Sequence, residues 1–263
     1  MGAKGVAQMQ EDPALQLTLS VESLLCVLHV VGLRTLPGLG EDVAAGLSEP
    51  TLQIAREAGA NALRAAGLAE LRVDGGNTPG LVLDTTLAAL VLTCATAPRI
   101  LYLARLDAQG RADAAYVHLG PHLAVVHTIP QAGVHRFLGL LDEAAVCRYA
   151  EGVLRLQAQP APRGRQLHLT KRLAAEPDEA AGGQPAYIQR IAAAVGPMVA
   201  NTLVAMLRIG GQGEPSTSEG FSLLQVQDGF WLVETETDCE AGARVSARPA
   251  SAEACRRRLV RLL

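Results

Sequence analysis

Six histidines are the first candidates for chemistry, and His118, His122 and His127 lie close together in the chain. A hairpin turning at Gly120-Pro121 alternates its side chains, so His118 and His127 fall on one face and His122 on the other. In that register His118 sits near Leu123 or Val125, and His127 near Ala114 or Tyr116, so the two same-face histidines are not expected to be cross-strand neighbours. No carboxylate nearby completes a tetrahedral zinc set, and no metal site is expected. His29, on an apolar helical stretch, reads as a core or boundary histidine. The cysteines Cys26, Cys94, Cys147, Cys239 and Cys255 are odd in number and widely spaced, with no CxxC. That excludes a disulfide framework and leaves them as small buried apolar residues.

Gly210–Gly220 (GGQGEPSTSEG) contains glycines, but no GK[ST] follows and no helix opens after it, so it reads as a mobile loop rather than a phosphate cradle. GxSxG, HExxH and DxD are absent. With nucleophile, base and electrophile unassembled, no catalytic residues and no cofactor are expected, and the chain is read as a non-enzyme.

These side chains are carried by 263 residues, 27.5 kDa, with 49% hydrophobic residues, 19% charged residues and a net charge of -3. That is the composition of a folded domain, and a weak acidity disfavours broad binding to nucleic acid or anionic membrane. Trp 1, Tyr 4 and Phe 3 are too few for a base-stacking platform and leave the core to Leu, Val and Ala. Leu24–Leu33 and Leu87–Ala97 are too short to span a bilayer. The first residues lack the apolar core of a signal peptide, and Val6 breaks the myristoylation pattern. A cytoplasmic protein without membrane insertion is the expectation; its oligomeric state is not set by the sequence.

The chain divides into a tail (1–14), an N-terminal half (15–157), a linker region (158–186) and a C-terminal half (187–263). Leu17–Leu19 reads as a short strand, and Ser20 caps a helix that Gly32 stops. Thr51–Leu68 has helical spacing. Leu71–Asp74 and Leu81–Leu83 flank a GGNTPG turn, and Asp84 or Thr85 caps a helix ending before Pro98. Helices plus a small hairpin form a winged-helix-like beginning. From Pro98 the period becomes two: strands at Ile100–Leu106, Ala115–Leu119 and Leu123–Ile129. Gln131–Ala150 reads as a helix and Val153–Gln157 as a returning strand. Gln166–Thr170 is a strand-like patch in the linker. Tyr187–Val195 reads as a helix, Leu203–Ile209 as a strand, and Phe221–Gln227 with Phe230–Glu236 as a hairpin about Asp228-Gly229. Arg244–Ala247 is a last strand, and Ser251 caps the closing helix.

The two halves share an order of strand, loop, hairpin, proline and helix. That implies an α+β fold with a mostly antiparallel central sheet, flanking helices and two pseudo-twofold-related halves. In the second hairpin Gln227 is expected opposite Phe230. Ser222, Leu224, Val226, Trp231, Val233 and Thr235 then share the drier face. Phe221, Leu223, Gln225, Gln227, Phe230, Leu232, Glu234 and Glu236 share a mixed face that suits a wet protein interface, unless helices of the same chain cover it.

LTLSVESLLCVLHVVGLRTLPGL at the start, and GFSLLQVQDGFWLVETETD followed by VSARPASAEACRRRLVRLL at the end, resemble the EspG family of cytosolic chaperones of type VII secretion. The resemblance implies the same α+β fold and binding of the helical tip of a PE/PPE-type heterodimer before secretion. It carries over no catalytic residues, and Phe221, Leu223, Gln225, Gln227, Phe230, Leu232 and Glu234 are the partner-binding candidates from the face analysis. Two other functions stay open beside it. One is a winged-helix transcription regulator with a C-terminal effector domain, which the near absence of net positive charge on Thr51–Leu68 and on the Leu71–Leu83 wing disfavours. The other is a small-molecule-binding regulatory domain.

Overall fold

The computed structural model describes residues 15–37, 44, 46–73, 79–156, 158, 160–171, 186–210, 215–238 and 242–263. The expected tail 1–14, the centre of the GGNTPG turn, residues 211–214, the linker stretch 176–185 and Cys239 lie outside them. The described elements are β1 (Gln16–Ser20), α1 (Val21–Val30), α2 (Glu49–Ala65), β2 (Ala69–Val73), β3 (Pro79–Leu83), α3 (Thr85–Thr96), β4 (Arg99–Asp107), β5 (Ala112–Leu119), β6 (Ala124–Gln131), β7 (Val134–Leu140), α4 (Glu143–Leu154), β8 (Leu167–Lys171), α5 (Ala186–Val195), β9 (Met198–Ile209), β10 (Pro215–Val226), β11 (Gly229–Asp238), β12 (Gly242–Ala250) and α6 (Ala252–Val260). The fold is α+β. Its large antiparallel sheet has ten strands in the order β1-β7-β6-β5-β4-β9-β10-β11-β12-β8, and β2 and β3 form a separate two-stranded sheet.

That order is palindromic. Outward from β4 the sequence is β5, β6, β7, then the earlier strand β1; outward from β9 it is β10, β11, β12, then the earlier strand β8. The expected repeat is therefore a four-strand meander plus one edge strand, each meander being followed by a helix, α4 or α6. At the centre β4 and β9 run antiparallel, with Leu103 opposite Val204.

The chain forms two compact units, residues 1–97 with 118–141, and residues 98–117 with 142–263. In the first, local chemistry sets the helix starts. The Ser20 hydroxyl accepts from the Ser23 N–H at 3.2 Å, Ser48 from the Thr51 N–H at 3.4 Å, and Asp84 from Thr86 and Leu87 at 2.8 and 3.2 Å. Each cap satisfies donors that a helix end leaves unpaired, contributing about 1 kcal/mol. Leu24, Val27 and Leu28 of α1 pack with Leu63 of α2, Leu87, Leu90 and Val91 of α3, Val125 of β6 and Phe137 of β7. Each such side chain contributes roughly 1.5–3 kcal/mol by leaving water.

One expectation here is corrected in part. Of Gln131–Ala150 only the stretch from Glu143 is helical: β7 occupies Val134–Leu140 and pairs with β6 and β1. The tight return is made at Gly133, whose φ of +76° suits a residue without a Cβ.

In the second unit, the Asp142 carboxylate accepts from the Ala145 N–H at 2.6 Å and starts α4, which runs to Leu154 and closes at Arg155 with φ 50°. The expected strand Val153–Gln157 is thus replaced by the helix end, with Gln157 outside the described residues.

Two further expectations in this unit change. Pro215–Gly220, read as loop from its Gly, Ser, Thr and Pro content, is the first part of β10, laddered to β9. In the β10–β11 hairpin, Gln225 and not Gln227 lies opposite Phe230, because the turn falls on Gln227-Asp228 and Val226 pairs with Gly229. The slip is two residues, so the division into faces survives it. Ile188 and Ile191 of α5 pack on one side, against Leu224, Val226, Trp231, Val233, Val245 and Ala247. The drier face meets a core there as expected. α6 covers the other side: its Arg258 guanidinium lies 5.5 Å from the Phe221 ring centroid and donates to Glu234 at 2.7 Å.

Candidate protein-docking face

The apolar candidates of the mixed hairpin face lie inside the second unit. Phe221, Leu223, Phe230 and Leu232 are 3%, 1%, 0% and 0% exposed. The expectation of a face open to a partner is corrected at these four positions, which are buried within the chain; Arg258 of α6 lies over Phe221. The polar candidates are partly engaged as well. Gln225 accepts from the Arg105 guanidinium at 2.8 Å, and Glu234 is held by Arg258 at 2.7 Å and Arg248 at 3.6 Å. Gln227, at the hairpin turn, is exposed.

Arg105 explains why Gln225 is polar within this core. The Arg105 side chain is buried, and its second contact is Thr202 Oγ1 at 3.4 Å. Burial is the main effect lowering its pKa, with Arg155 adding to it and Asp107 and Asp113 opposing it. Neutral acceptors satisfy the donors that burial would otherwise strand.

An uncovered apolar strip lies on the side of the sheet that carries α5. Along β9 the residues alternate: Ala200, Thr202, Val204 and Met206 are buried, whereas Val199 and Leu203 are each 40% exposed. On β4, Ala104 lies opposite Leu203, Tyr102 opposite Ala205 and Leu106 opposite Asn201, and these β4 side chains are half-buried. Tyr116 of β5 extends the strip, its ring 5.0 Å from that of Tyr102 at an interplanar angle of 36°. Burial, and secondarily Tyr102, raise the Tyr116 pKa. No charged residue stands among these positions. An apolar, aromatic-bearing centre without charge is the composition of an interface core. The sequence reading missed this strip because it began the strand at Leu203 and so left out Val199. The usable signal was the alternation from Met198 to Ile209, with Val199, Asn201, Leu203 and Ala205 as one set.

In the first unit the histidines form a buried cluster. His118 and His127 are 0% exposed and His135 is 5% exposed. The rings of His118 and His127 stack with centroids 6.3 Å apart, which corrects the expectation that they do not meet. Diagonal partners in a strand pair lie within reach of ring-sized side chains. His127 also stacks on Phe137 at 4.5 Å. Burial pulls the His118 pKa down to about 4 and that of His127 to about 3, with His135 and then His118 adding repulsion at His127; His135 is lowered by burial too. These rings pack as neutral aromatic groups. Among the described residues, no group of three or more His, Cys, Asp and Glu side chains is arranged to hold a metal ion.

The regulator reading needs free cations on α2 and on the β2–β3 hairpin. Arg56 is paired with Glu49 at 3.0 Å, and Arg72 is paired with Glu70. Arg64 is exposed without an ion pair among the described residues, and one such cation on α2 is too few to track a phosphate backbone. Among the described residues, no helix is long and apolar enough to cross a membrane.

No protein-family model matches the sequence. No curated protein matches it. Among solved structures, the chain is similar to the Mycobacterium tuberculosis type VII secretion system chaperone EspG5 in its complex with the PE25-PPE41 dimer. The TM-score is 0.55 and the identity 8%, over 92% of this chain and 93% of that one. At that identity the likeness shows the fold, which is EspG-like across nearly the whole chain, and assigns no residue a role.

Proposed function

We propose that this chain is a cytosolic secretion chaperone that holds a PE/PPE-type helical heterodimer of a type VII system before export. The observation that carries the reading is the uncharged strip of Tyr102, Leu106, Tyr116, Val199 and Leu203 on one side of the sheet. The EspG-like fold supports the same reading, since the similar chaperone was solved with a PE25-PPE41 dimer. A chaperone of this kind masks an apolar helical surface, and it needs a broad apolar face rather than a catalytic cleft. Gln227, exposed at the hairpin turn, is available as a polar contact outside the strip.

The test is co-expression with a PE/PPE-type heterodimer from the same genome, followed by size-exclusion chromatography. The wild-type chain is expected to co-elute with the heterodimer. Leu203→Asp, at a position that is 40% exposed, is expected to abolish co-elution while leaving the cooperative melt intact. Full binding by a folded Leu203→Asp variant would reject this strip as the contact surface. No complex with any such heterodimer would reject the chaperone reading itself.

A further inference from the structure

A cleft of about 260 Å³ opens between α1, the turn after it, and α2. Its walls are Leu25, Leu28, Leu33 and Leu52, four aliphatic side chains brought together by the packing of the two helices. Arg34 and Arg56 stand in the same lining, with Glu49 as the opposing charge and His29 beside them. Among the described lining residues, two guanidinium groups stand against one carboxylate. The first turn of α2 contributes Glu49 and Leu52 to the lining, so the positive end of that helix adds to the field.

Arg56 has an unmet need. Its Nη1 donates to Glu49 Oε1 at 3.0 Å, but its Nε–H is buried and finds no acceptor among the described residues. A guanidinium offers five donors in a fixed fork, and one carboxylate oxygen does not satisfy them. The guanidinium nitrogens left over from the Glu49 contact, together with Arg34 in the same lining, suit a group that is an acceptor at one end and apolar at the other. The cleft is smaller than the usual range for drug-sized ligands, so its occupant is fragment-sized.

We infer that this cleft binds a small carboxylate with a short aliphatic tail, the carboxylate between Arg56 and Arg34 and the tail on the leucines. The site is independent of the chaperone reading and of the β4–β9 strip.

The experiment titrates the full chain with octanoate by calorimetry, with leucine methyl shifts followed in parallel. Acetate and octanamide serve as the tail-less and charge-less controls. Saturable one-to-one binding of octanoate is expected, with shifts at Leu25, Leu28 and Leu52 and at least tenfold weaker binding of both controls. Arg34→Gln, at an exposed position, and Arg56→Gln are each expected to weaken octanoate by roughly tenfold. Thermal melts establish that both variants are folded, and Arg34→Gln decides the matter if Arg56→Gln is not. Octanamide binding as tightly as octanoate, unchanged affinity in the folded Arg34→Gln variant, or no saturable octanoate binding would each overturn the inference.

Discussion

His127 Nε2 lies 3.0 Å from His135 Nδ1, so one ring must donate and the other accept, and the pair holds a single proton between its facing nitrogens. Protonating both rings would set two N–H groups against each other in a site that is almost dry. His118 stacks on the far side of His127, and among the described residues neither of its ring nitrogens has a hydrogen bond of ordinary geometry.

This cluster predicts a directed pH dependence. The folded-state pKa values of His118 and His127, about 4 and about 3, lie below the ordinary 6.5. The unfolded chain therefore binds more protons below pH 6.5, and stability is complete above that value and falls as pH drops toward 4. Once fully titrated, His118 contributes on the order of 3 kcal/mol and His127 more. Denaturant midpoints are expected to fall between pH 7 and pH 5. His118→Leu, which removes one of the two strongly shifted rings, is expected to flatten that slope. An unchanged slope in the variant would show that the acid sensitivity comes from elsewhere.

The thiols should react in an order set by burial. Cys94 is 0% exposed and its pKa is pushed far up by desolvation, while Cys255 is raised to about 11 for the same leading reason. Cys147, on α4, is only partly buried, and its pKa is raised less strongly, again mainly by burial. Thiolates are the reacting species. Mass-resolved alkylation of the native protein is expected to modify Cys147 well before Cys94 or Cys255, which should need denaturant. Early labelling of Cys94 would contradict the packing of α3.

Gly59 of α2 faces the backbone of α1. A Cβ built there would run into the carbonyl of Glu22 and touch Cys26 Cβ at 3.0 Å. Alanine is the better helix former by about 1 kcal/mol, whereas forcing a methyl against a rigid backbone costs roughly 1–3 kcal/mol. The clash is with backbone on both sides, so it wins. Gly59→Ala is expected to lower the melting temperature, and a rise would mean that the helices can separate at little cost.

Phe230→Asp provides a contrast to Leu203→Asp. Phe230 is fully buried beneath the α6 side of the sheet. Losing the ring and burying a carboxylate together cost more than about 4 kcal/mol. Circular-dichroism melts should show loss of the cooperative transition in the second unit. A variant that still melts cooperatively near the wild-type temperature would reopen that face to a partner.

Features that depend on neighbouring residues alone were readable in the sequence. Ser20, Asp84 and Ser251 start helices where expected, since a side-chain oxygen meets an N–H two or three positions on. β7 was not readable, because Val134, Phe137, Leu138 and Leu141 also fit helical spacing and a strand buried on both sides has no polar face to break the tie. Pro215–Gly220 failed for a different reason: its composition favours a loop, and only the ladder to β9 makes it a strand. The candidate site had the same difficulty as β7. Both residue sets of β9 are largely apolar, so the sequence shows two faces but not which one the helices leave uncovered. The faces of the β10–β11 hairpin were right despite a two-residue slip, since parity and not register assigns a side chain to a face.

The palindromic strand order has a consequence for synthesis on the ribosome. β4 emerges early and finds β5 at once, but its other edge pairs with β9, so residues 108–197 must be made before that edge is covered. Through that interval the nascent chain carries RILYLARLD with one row of backbone donors and acceptors unpaired, an invitation to pair with a neighbouring chain. Arg99, Arg105 and Asp107 place charges along that segment, which lowers its tendency to aggregate until its strand partner arrives.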